Sequence, residues 1–346
     1  MSDSQWSVID IGVAQIGETR ELFKRVFGQP LSEALWRWKY DAGRGAAVGA
    51  RAPNGDLLAH YGGTLRQICF RDHPALAIQI GDVMVAQEGR AALAHKGPFG
   101  MVVEAFLNRH VGGAKGVVLG FGFPNARHMR LGEKLGHYVQ IDTVSELSWH
   151  VPRRSDLSEK AATRLRIDVL DWAIPSTAGR LDGLWRKMKH DLRDSIVPTR
   201  DASWLRHRYA NHPEHRYVCF WVRSVWLGRL LGAIVLRSHP PSAAQGPMAT
   251  TWELIDWVAP KMKSEEMLLA AMEVVRQRGG TLLMGWFSSM VANSFTTSAI
   301  STKEACTSGV TVPGPEGRFQ ITNNFSLSVS DLRGRWWLTG GDTDFR

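Results

Sequence analysis

Apolar residues fall at helical spacing through "IGETRELFKRVFGQP", where Ile16, Leu22, Phe23, Val26 and Phe27 share a face and Gly28 and Pro30 close the run. The period then drops to two. "AAVGARAPNGDLLAHYGGTLRQICF" (Ala46–Phe70) predicts two strands around an Asn54-Gly55 turn, and "LAIQIGDVMVA" (Leu76–Ala86) predicts another. Pro98 stands at a first helical position, where its missing N–H costs nothing, and opens the helix "FGMVVEAFLNRH". "GVVLGFGF" (Gly116–Phe123) reads as a buried strand, and "NARHMRLGEKLG" (Asn125–Gly136) as a helix stopped by Gly136. This order, a helix, antiparallel strands and then strand–helix–strand–helix, predicts an α/β domain on a mixed sheet.

The same order returns later in the chain. "WRWKY" (Trp36–Tyr40), "GDLLAHY" (Gly55–Tyr61) and "IGDVMVA" (Ile80–Ala86) are answered by "WLRHRY" (Trp204–Tyr209), "GRLLGAI" (Gly228–Ile234) and "IDWVAP" (Ile255–Pro260). Trp36 to Trp204, Gly55 to Gly228 and Asp82 to Asp256 span 168, 173 and 174 residues. After each third block come a helix-period stretch, an apolar run ("GVVLGFGF" or "TLLMGWF") and an asparagine, Asn125 or Asn293. A period this long means duplicated domains rather than a solenoid. The expected fold class is therefore α/β (an α+β mixed sheet): two tandem domains, each a mixed, mostly antiparallel sheet flanked by helices. Their expected bounds are residues 1–150 and 165–346, joined by the polar, basic linker 151–164, with "HPPSAAQGPMA" (His239–Ala249) a surface loop in the second half.

Composition narrows the picture. At 346 residues the chain is comfortable for two domains, and its 44% hydrophobic and 22% charged residues are ordinary for a globular protein. No uncharged apolar run reaches the length of a membrane span, so no membrane insertion is expected. The N-terminal "MSDSQWSVIDIG" lacks the basic-then-apolar order of a signal peptide, and Cys69, Cys219 and Cys306 are odd in number and far apart. Both point to the cytoplasm and to neither a disulfide framework nor a cysteine-based metal site. The net charge of +9 suits a nucleic acid, an anionic membrane surface or an anionic small ligand, but the basic residues are dispersed rather than blocked. No P-loop or G-x-S-x-G elbow occurs, and the histidines stand beside arginines rather than at metal-ligand spacing.

The element order, with V-x-x-x-x-R after the central strand (Val85, Arg90), "PNGDLLAHYGG" and "GFGFPNARHMRLGEKLG" (Gly120–Gly136), resembles the GCN5-related N-acetyltransferase superfamily, in particular its tandem two-domain members. The likeness covers residues 15–145 at motif level; the second half is reached only through the repeat. The resemblance implies that acetyl-CoA lies in a splayed gap between two parallel strands. Its pyrophosphate would rest on the loop amides and the N-terminus of the next helix, where unpaired N–H groups and the dipole favour an anion. The cofactor contacts implied are Val85, Arg90, Lys96, Gly97, Gly100 and Asn125. Two family glycines are replaced by Leu93 and His95, and glycine returns only at Gly97 and Gly100, as though about four residues had been inserted. In the second half "APKMKSEEMLL" has no glycine and puts Glu265 and Glu266 where they would repel phosphate, which implies a structural and substrate-shaping role.

Transfer to an amine needs a base for the amine and an acid for the leaving thiolate. Asp82, on the central strand, is the candidate base, directly or through water; the alternative is a structural bond to a neighbouring backbone group or arginine. His60 and Tyr61 are candidate substrate contacts, one of which must alternate to the core face. The family's acid is a tyrosine in the helix after "GFPN", but that place falls on Gly132; Tyr138, just beyond the helix, is the candidate substitute or else a core residue. Asn125 is a helix N-cap or a ligand. Trp336 and Trp337 are expected to dock on the second domain, and Asp342 and Asp344 to be solvated. The expected reaction is N-acetyl transfer from acetyl-CoA to a small-molecule primary amine, without a metal. Aminoacyl-tRNA or an acyl carrier protein as donor, and a non-catalytic binding protein with decayed loops, are the alternatives; nucleic acid otherwise is not expected, and the oligomeric state is not legible.

Overall fold

The computed structural model describes residues 6–90, 97–112, 116–152, 165–240, 251–314 and 317–345. Contacts divide them into two compact units. The first takes residues up to Gln67, Pro74–Ile141 and Ser308–Asp331; the second takes Ile68–His73, Asp142–Thr307 and Leu332 onward.

In the first unit, β1 (Ser7–Asp10) is followed by α1 (Ile16–Phe27) and α2 (Glu33–Tyr40), then β2 (Gly45–Arg51), β3 (Leu57–Phe70) and β4 (His73–Val85). A single helical turn, α3 (Gln87–Arg90), precedes α4 (Pro98–His110), β5 (Val117–Gly122), α5 (Ala126–Lys134) and the start of β6 (Tyr138–His150). The strand order is β1-β2-β3-β4-β5. β1 and β2 run antiparallel, as do β2 and β3, whereas β4 and β5, joined through α4, run parallel. The sheet buries one face on α1 and α2 through Leu22, Trp36 and Met84, and the other on α4 through Tyr61, Ile78 and Phe106.

The second unit repeats this plan with β7 (Leu165–Val169), α6 (Ser176–Asp191), β8 (Val197–Pro198), α7 (Ala202–Leu205), β9 (Val218–Ser224), β10 (Leu230–Ser238), β11 (Thr251–Val258), α8 (Ser264–Gln277), β12 (Leu282–Ser288) and β13 (Ser301–Thr311). Its order is β7-β9-β10-β11-β12, again antiparallel until the last pair, which is parallel and joined through α8. The duplication read from the sequence is a duplication of topology.

It extends to side chains. Trp36 and Tyr40, one α-helical turn apart, have ring centroids 5.1 Å apart, and the Tyr40 hydroxyl donates to Asp82 Oδ2 at 2.8 Å. Trp204 and Tyr209 are separated by one residue more. The extra residue is absorbed by a π-helical turn, Arg206–Ala210, in which the Asn211 N–H bonds to the Arg206 carbonyl. The rings remain 5.6 Å apart, and the Tyr209 hydroxyl donates to Asp256 Oδ2 at 2.8 Å. A Trp–Tyr–Asp group thus marks the same place in each unit.

The boundaries differ from those read in the sequence. The strand that closes the first half, β6, pairs through Val144–His150 with β12, so those residues belong to the second sheet. From Ser308 onward β13 belongs to the first unit, where Gly309 and Val310 pair with β5. Val151, expected in the linker, is buried and bonds its N–H to the Thr281 carbonyl; the rest of that linker beyond Pro152, and nearly all of the expected loop 239–249, lie outside the described residues. The tail also differs. Trp336 and Trp337 are fully buried in the second unit, but Asp342 and Asp344, expected in solvent, are buried too, because Asp342 bonds to the guanidinium of Arg200.

Candidate functional site

β4 and β5 pair from Leu76 opposite Val117 to Ile80 opposite Gly122. There β5 ends, and its chain turns into α5 through the N-cap Asn125, whereas β4 continues through Gly81–Val85. Just past the last pair, Asp82 adopts the left-handed region (φ 50°), a conformation rare for a residue other than glycine and a local break in strand geometry. β4 leads into α3 and then α4, whose N-cap is Gly97 and whose first residue is Pro98. Phe99 and Gly100 follow as N–H donors of the first turn, and both Gly97 and Gly100 are buried. Arg90 ends α3, although its side chain lies outside the described residues, as does all of Lys96. Val85 packs in the core against the α4 side.

Asp82 is drawn into a buried polar group on the α2 face. Lys39 Nζ lies 2.8 Å from Oδ1 and the Tyr40 hydroxyl donates to Oδ2. Both side chains of the ion pair are over nine-tenths buried. Burial alone would raise the carboxyl pKa, but the Lys39 ammonium and the hydrogen bonds outweigh it and hold the group below the usual carboxylate range. Sequence reasoning missed Lys39 and Tyr40 as site residues, using "WRWKY" only as a mark of the repeat. The signal available was a lysine beside two aromatic residues on the inward face of a short helix. Gly62 makes the approach feasible: a Cβ there would stand 2.4 Å from the Tyr40 hydroxyl.

His60 and Tyr61 diverge as strand alternation requires. Tyr61 faces α4, its ring 5.0 Å from Phe106, in the core. His60 lies on the Asp82 side, fully buried, with Nδ1 2.7 Å from the Asp82 carbonyl oxygen. That acceptor requires a proton on Nδ1, which leaves a lone pair on Nε2. Nε2 is buried with no hydrogen-bond partner. Burial lowers the imidazole pKa despite the Asp82 charge, so the ring is neutral. The corresponding position of the second unit holds apolar Ala233.

The sign of the pH effect follows. A histidine whose folded pKa lies below its unfolded value of 6.5 contributes stability that is present above that value and lost as the pH falls through it. Thermal unfolding followed from pH 8 to pH 5 is expected to show the midpoint dropping below about pH 6.5, with His60→Gln flattening part of that drop.

Tyr138 occupies an informative place. Its ring lies over Gly132, where a Cβ would stand 2.8 Å from Tyr138 Cδ2. The ring of Tyr138, on β6, thus fills the space that Gly132 leaves and packs on the core of the first unit. Its hydroxyl is buried without a partner, and burial pushes its pKa well up, so it is a neutral O–H. Asn125 acts as the N-cap of α5, accepting the His128 N–H at 2.9 Å.

The matching gap in the second unit is filled. β11 and β12 pair only from Thr251 opposite Leu282 to Glu253 opposite Met284. Beyond that point the C-terminal segment lies between them. Thr339 forms an antiparallel bridge with Phe287 of β12, Leu338 exchanges hydrogen bonds with Ser288, and the Thr339 hydroxyl donates to Asp256 of β11 at 3.0 Å. Arg200 locks the insert, with Nε 2.9 Å from Asp256 Oδ1 and Nη2 2.6 Å from Asp342 Oδ2. Glu265, at the start of α8, accepts the N–H groups of Thr296 and Thr297 instead of facing a ligand.

No protein-family model matches the chain, and no curated protein matches it. Solved structures do. A protein of unknown function from Enterococcus faecalis V583, described as a probable N-acyltransferase, is 16% identical with a TM-score of 0.63, covering 88% of this chain and 72% of its own. A GCN5-related N-acetyltransferase from Kribbella flavida is 16% identical with a TM-score of 0.60, over 90% of this chain and 72% of its own. The chain has the GCN5-related N-acetyltransferase fold. N-myristoyltransferase from Saccharomyces cerevisiae, solved with bound myristoyl-CoA, shares this fold more distantly, at 9% identity and a TM-score of 0.53 over 89% of this chain and 83% of its own. Within the N-acetyltransferase fold, the two parallel strands that part are β4 and β5 in the first unit and β11 and β12 in the second. Among the described residues, no His, Cys, Asp and Glu side chains gather at metal-binding distance, and no helix is long and apolar enough to cross a membrane.

Proposed function

We propose that the protein is an acyl-CoA-dependent N-acyltransferase that moves an acetyl group from acetyl-CoA to a small primary amine, and that the first unit alone binds the donor. The observation that carries this reading is the asymmetry of the two gaps. In the first unit β4 outruns β5 and leads to a glycine-capped helix N-terminus, whereas in the second the equivalent gap holds the chain's own tail.

The donor's pyrophosphate would be held by the amides of Gly97 and Gly100, with Arg90 and Lys96 supplying positive charge. Val85 and the part of β4 that runs on beyond β5, Gly81–Val85, would line the thioester arm. The amine nitrogen attacks the thioester carbonyl carbon, the carbon–sulfur bond breaks, and the thiolate takes up a proton as the amide forms. Asp82, already accepting from Lys39 and Tyr40 and held ionised, is a weak proton acceptor; its part is to fix the strand break and present its carbonyl to His60. The vacant Nε2 lone pair of His60 would receive the amine proton and pass it on to the leaving thiolate, with the neutral Tyr138 hydroxyl as hydrogen-bond donor to that sulfur. Asn125, serving as an N-cap, orients α5.

A longer acyl chain is a second reading, favoured by the shared fold with a myristoyl-CoA-binding enzyme. Thiol release from acetyl-CoA and myristoyl-CoA, followed across amino sugars, amino acids and polyamines, separates the two. Amine-dependent release from acetyl-CoA is expected. Release from neither donor with any amine would overturn the assignment as a CoA-dependent enzyme.

A further inference from the structure

The turn between β9 and β10 carries three consecutive apolar residues in solvent. Trp226 is 81% exposed, Leu227 80% and Val225 55%, and the first two exceed every other large hydrophobic among the described residues. The turn is well formed: the Ser224 N–H bonds to the Arg229 carbonyl at 2.9 Å, and Gly228 takes the left-handed conformation (φ 58°) that closes it. Side chains this exposed touch almost nothing of their own unit, so they project from the hairpin end. Scattered apolar residues on a surface need no explanation, but a tryptophan and a leucine side by side on a convex tip do.

The flanks of the tip are basic. Arg223 and Arg229 stand on its two sides, and Arg166 of the edge strand β7 is in register with Arg223. The one acid in register nearby, Asp168, is shared between Arg166 at 3.2 Å and Arg223 at 3.6 Å, so two guanidinium groups share one carboxylate and Arg229 adds a further positive charge. Arg229 is exposed. The chain's net charge of +9 acts in the same direction.

We infer that this hairpin tip docks the protein on an anionic lipid surface, with Trp226 and Leu227 entering the boundary between headgroups and acyl chains and Arg229, Arg223 and Arg166 facing lipid phosphates. A tip of this size offers far less than the roughly 800 Å² per partner of a stable protein interface, which argues against a second copy or another globular protein. A bilayer accepts an apolar wedge without a complementary groove, places tryptophan at its interface and attracts basic side chains beside it.

The test is co-sedimentation of the full chain with phosphatidylcholine vesicles, with and without phosphatidylserine. Sedimentation is expected with the anionic vesicles, weakening as salt is raised. Trp226→Ser combined with Leu227→Ser is expected to reduce it about tenfold or more, and Arg229→Gln to reduce it less. The exposed position of all three side chains leaves folding intact, which an unchanged melting curve checks. Absence of the wild-type protein from the anionic pellet, equal sedimentation with neutral vesicles, or a double variant that sediments like wild type would overturn the proposal.

Discussion

Replacing Arg200 by alanine is expected to lower the thermal transition of the protein by about 10 °C. Arg200 has no exposed side-chain surface and bonds to Asp256, Asp342, the Thr339 hydroxyl and the Pro198 carbonyl. Removing it leaves two carboxylates buried together without a counter-charge, the situation in which a broken buried pair costs about 3–5 kcal/mol. It also frees the tail from the gap between β11 and β12. Differential scanning calorimetry reads the effect directly. Arg200→Lys keeps the charge but lacks the planar fork that reaches both carboxylates, so it should fall between alanine and wild type. A transition unmoved by Arg200→Ala would mean that the tail is held by its apolar contacts, Trp336, Trp337 and Leu338, and not by this network.

The second large effect is on turnover. His60→Gln is expected to lower kcat by about 10²–10³ while KM for the donor changes little, because proton acceptance is made only in the chemical step. The neutral imidazole also fixes the pH profile: kcat/KM should fall on the acid side, with its limb below the ordinary histidine value of 6.5, since burial lowers this pKa. Asp82→Asn separates the roles of the two groups. If Asp82 were the base, it would abolish that limb. With Asp82 as ion-pair partner of Lys39, the variant should lose stability more than it loses the shape of the profile. A His60→Gln variant with wild-type kcat would remove histidine from the reaction.

Much of this was legible in the residues. Period-two and period-3.6 patterns placed β2 to β5, α1, α4 and α5, and the recurring Trp, Tyr and Asp pointed to the repeat. The one-residue mismatch between "WRWKY" and "WLRHRY" weakened that match, and a π-turn absorbs it. The less readable features are non-local. The β3–β4 hairpin turns on Arg71 and Asp72, both with positive φ, and neither is the Asn-Gly pair that announces such a turn. The partners of β6 and β13 depend on strand pairing across more than a hundred residues, which no local pattern encodes. Asp342 looked solvated because its counter-ion lies 142 residues away. At the site, Asp82 and His60 stood out by position, but the contact of Asp82 with Lys39 and the bond of His60 to the Asp82 carbonyl have no sequence signature.

Isothermal titration of the full chain with acetyl-CoA and with CoA, beside Arg90→Ala, tests most directly whether one gap, in the first unit, takes the acyl donor. Binding of one CoA per chain, lost or strongly weakened in the variant, is the expected result. Two equivalents per chain would show that the second gap opens in spite of its insert, and no heat from either ligand would contradict the assignment of the first.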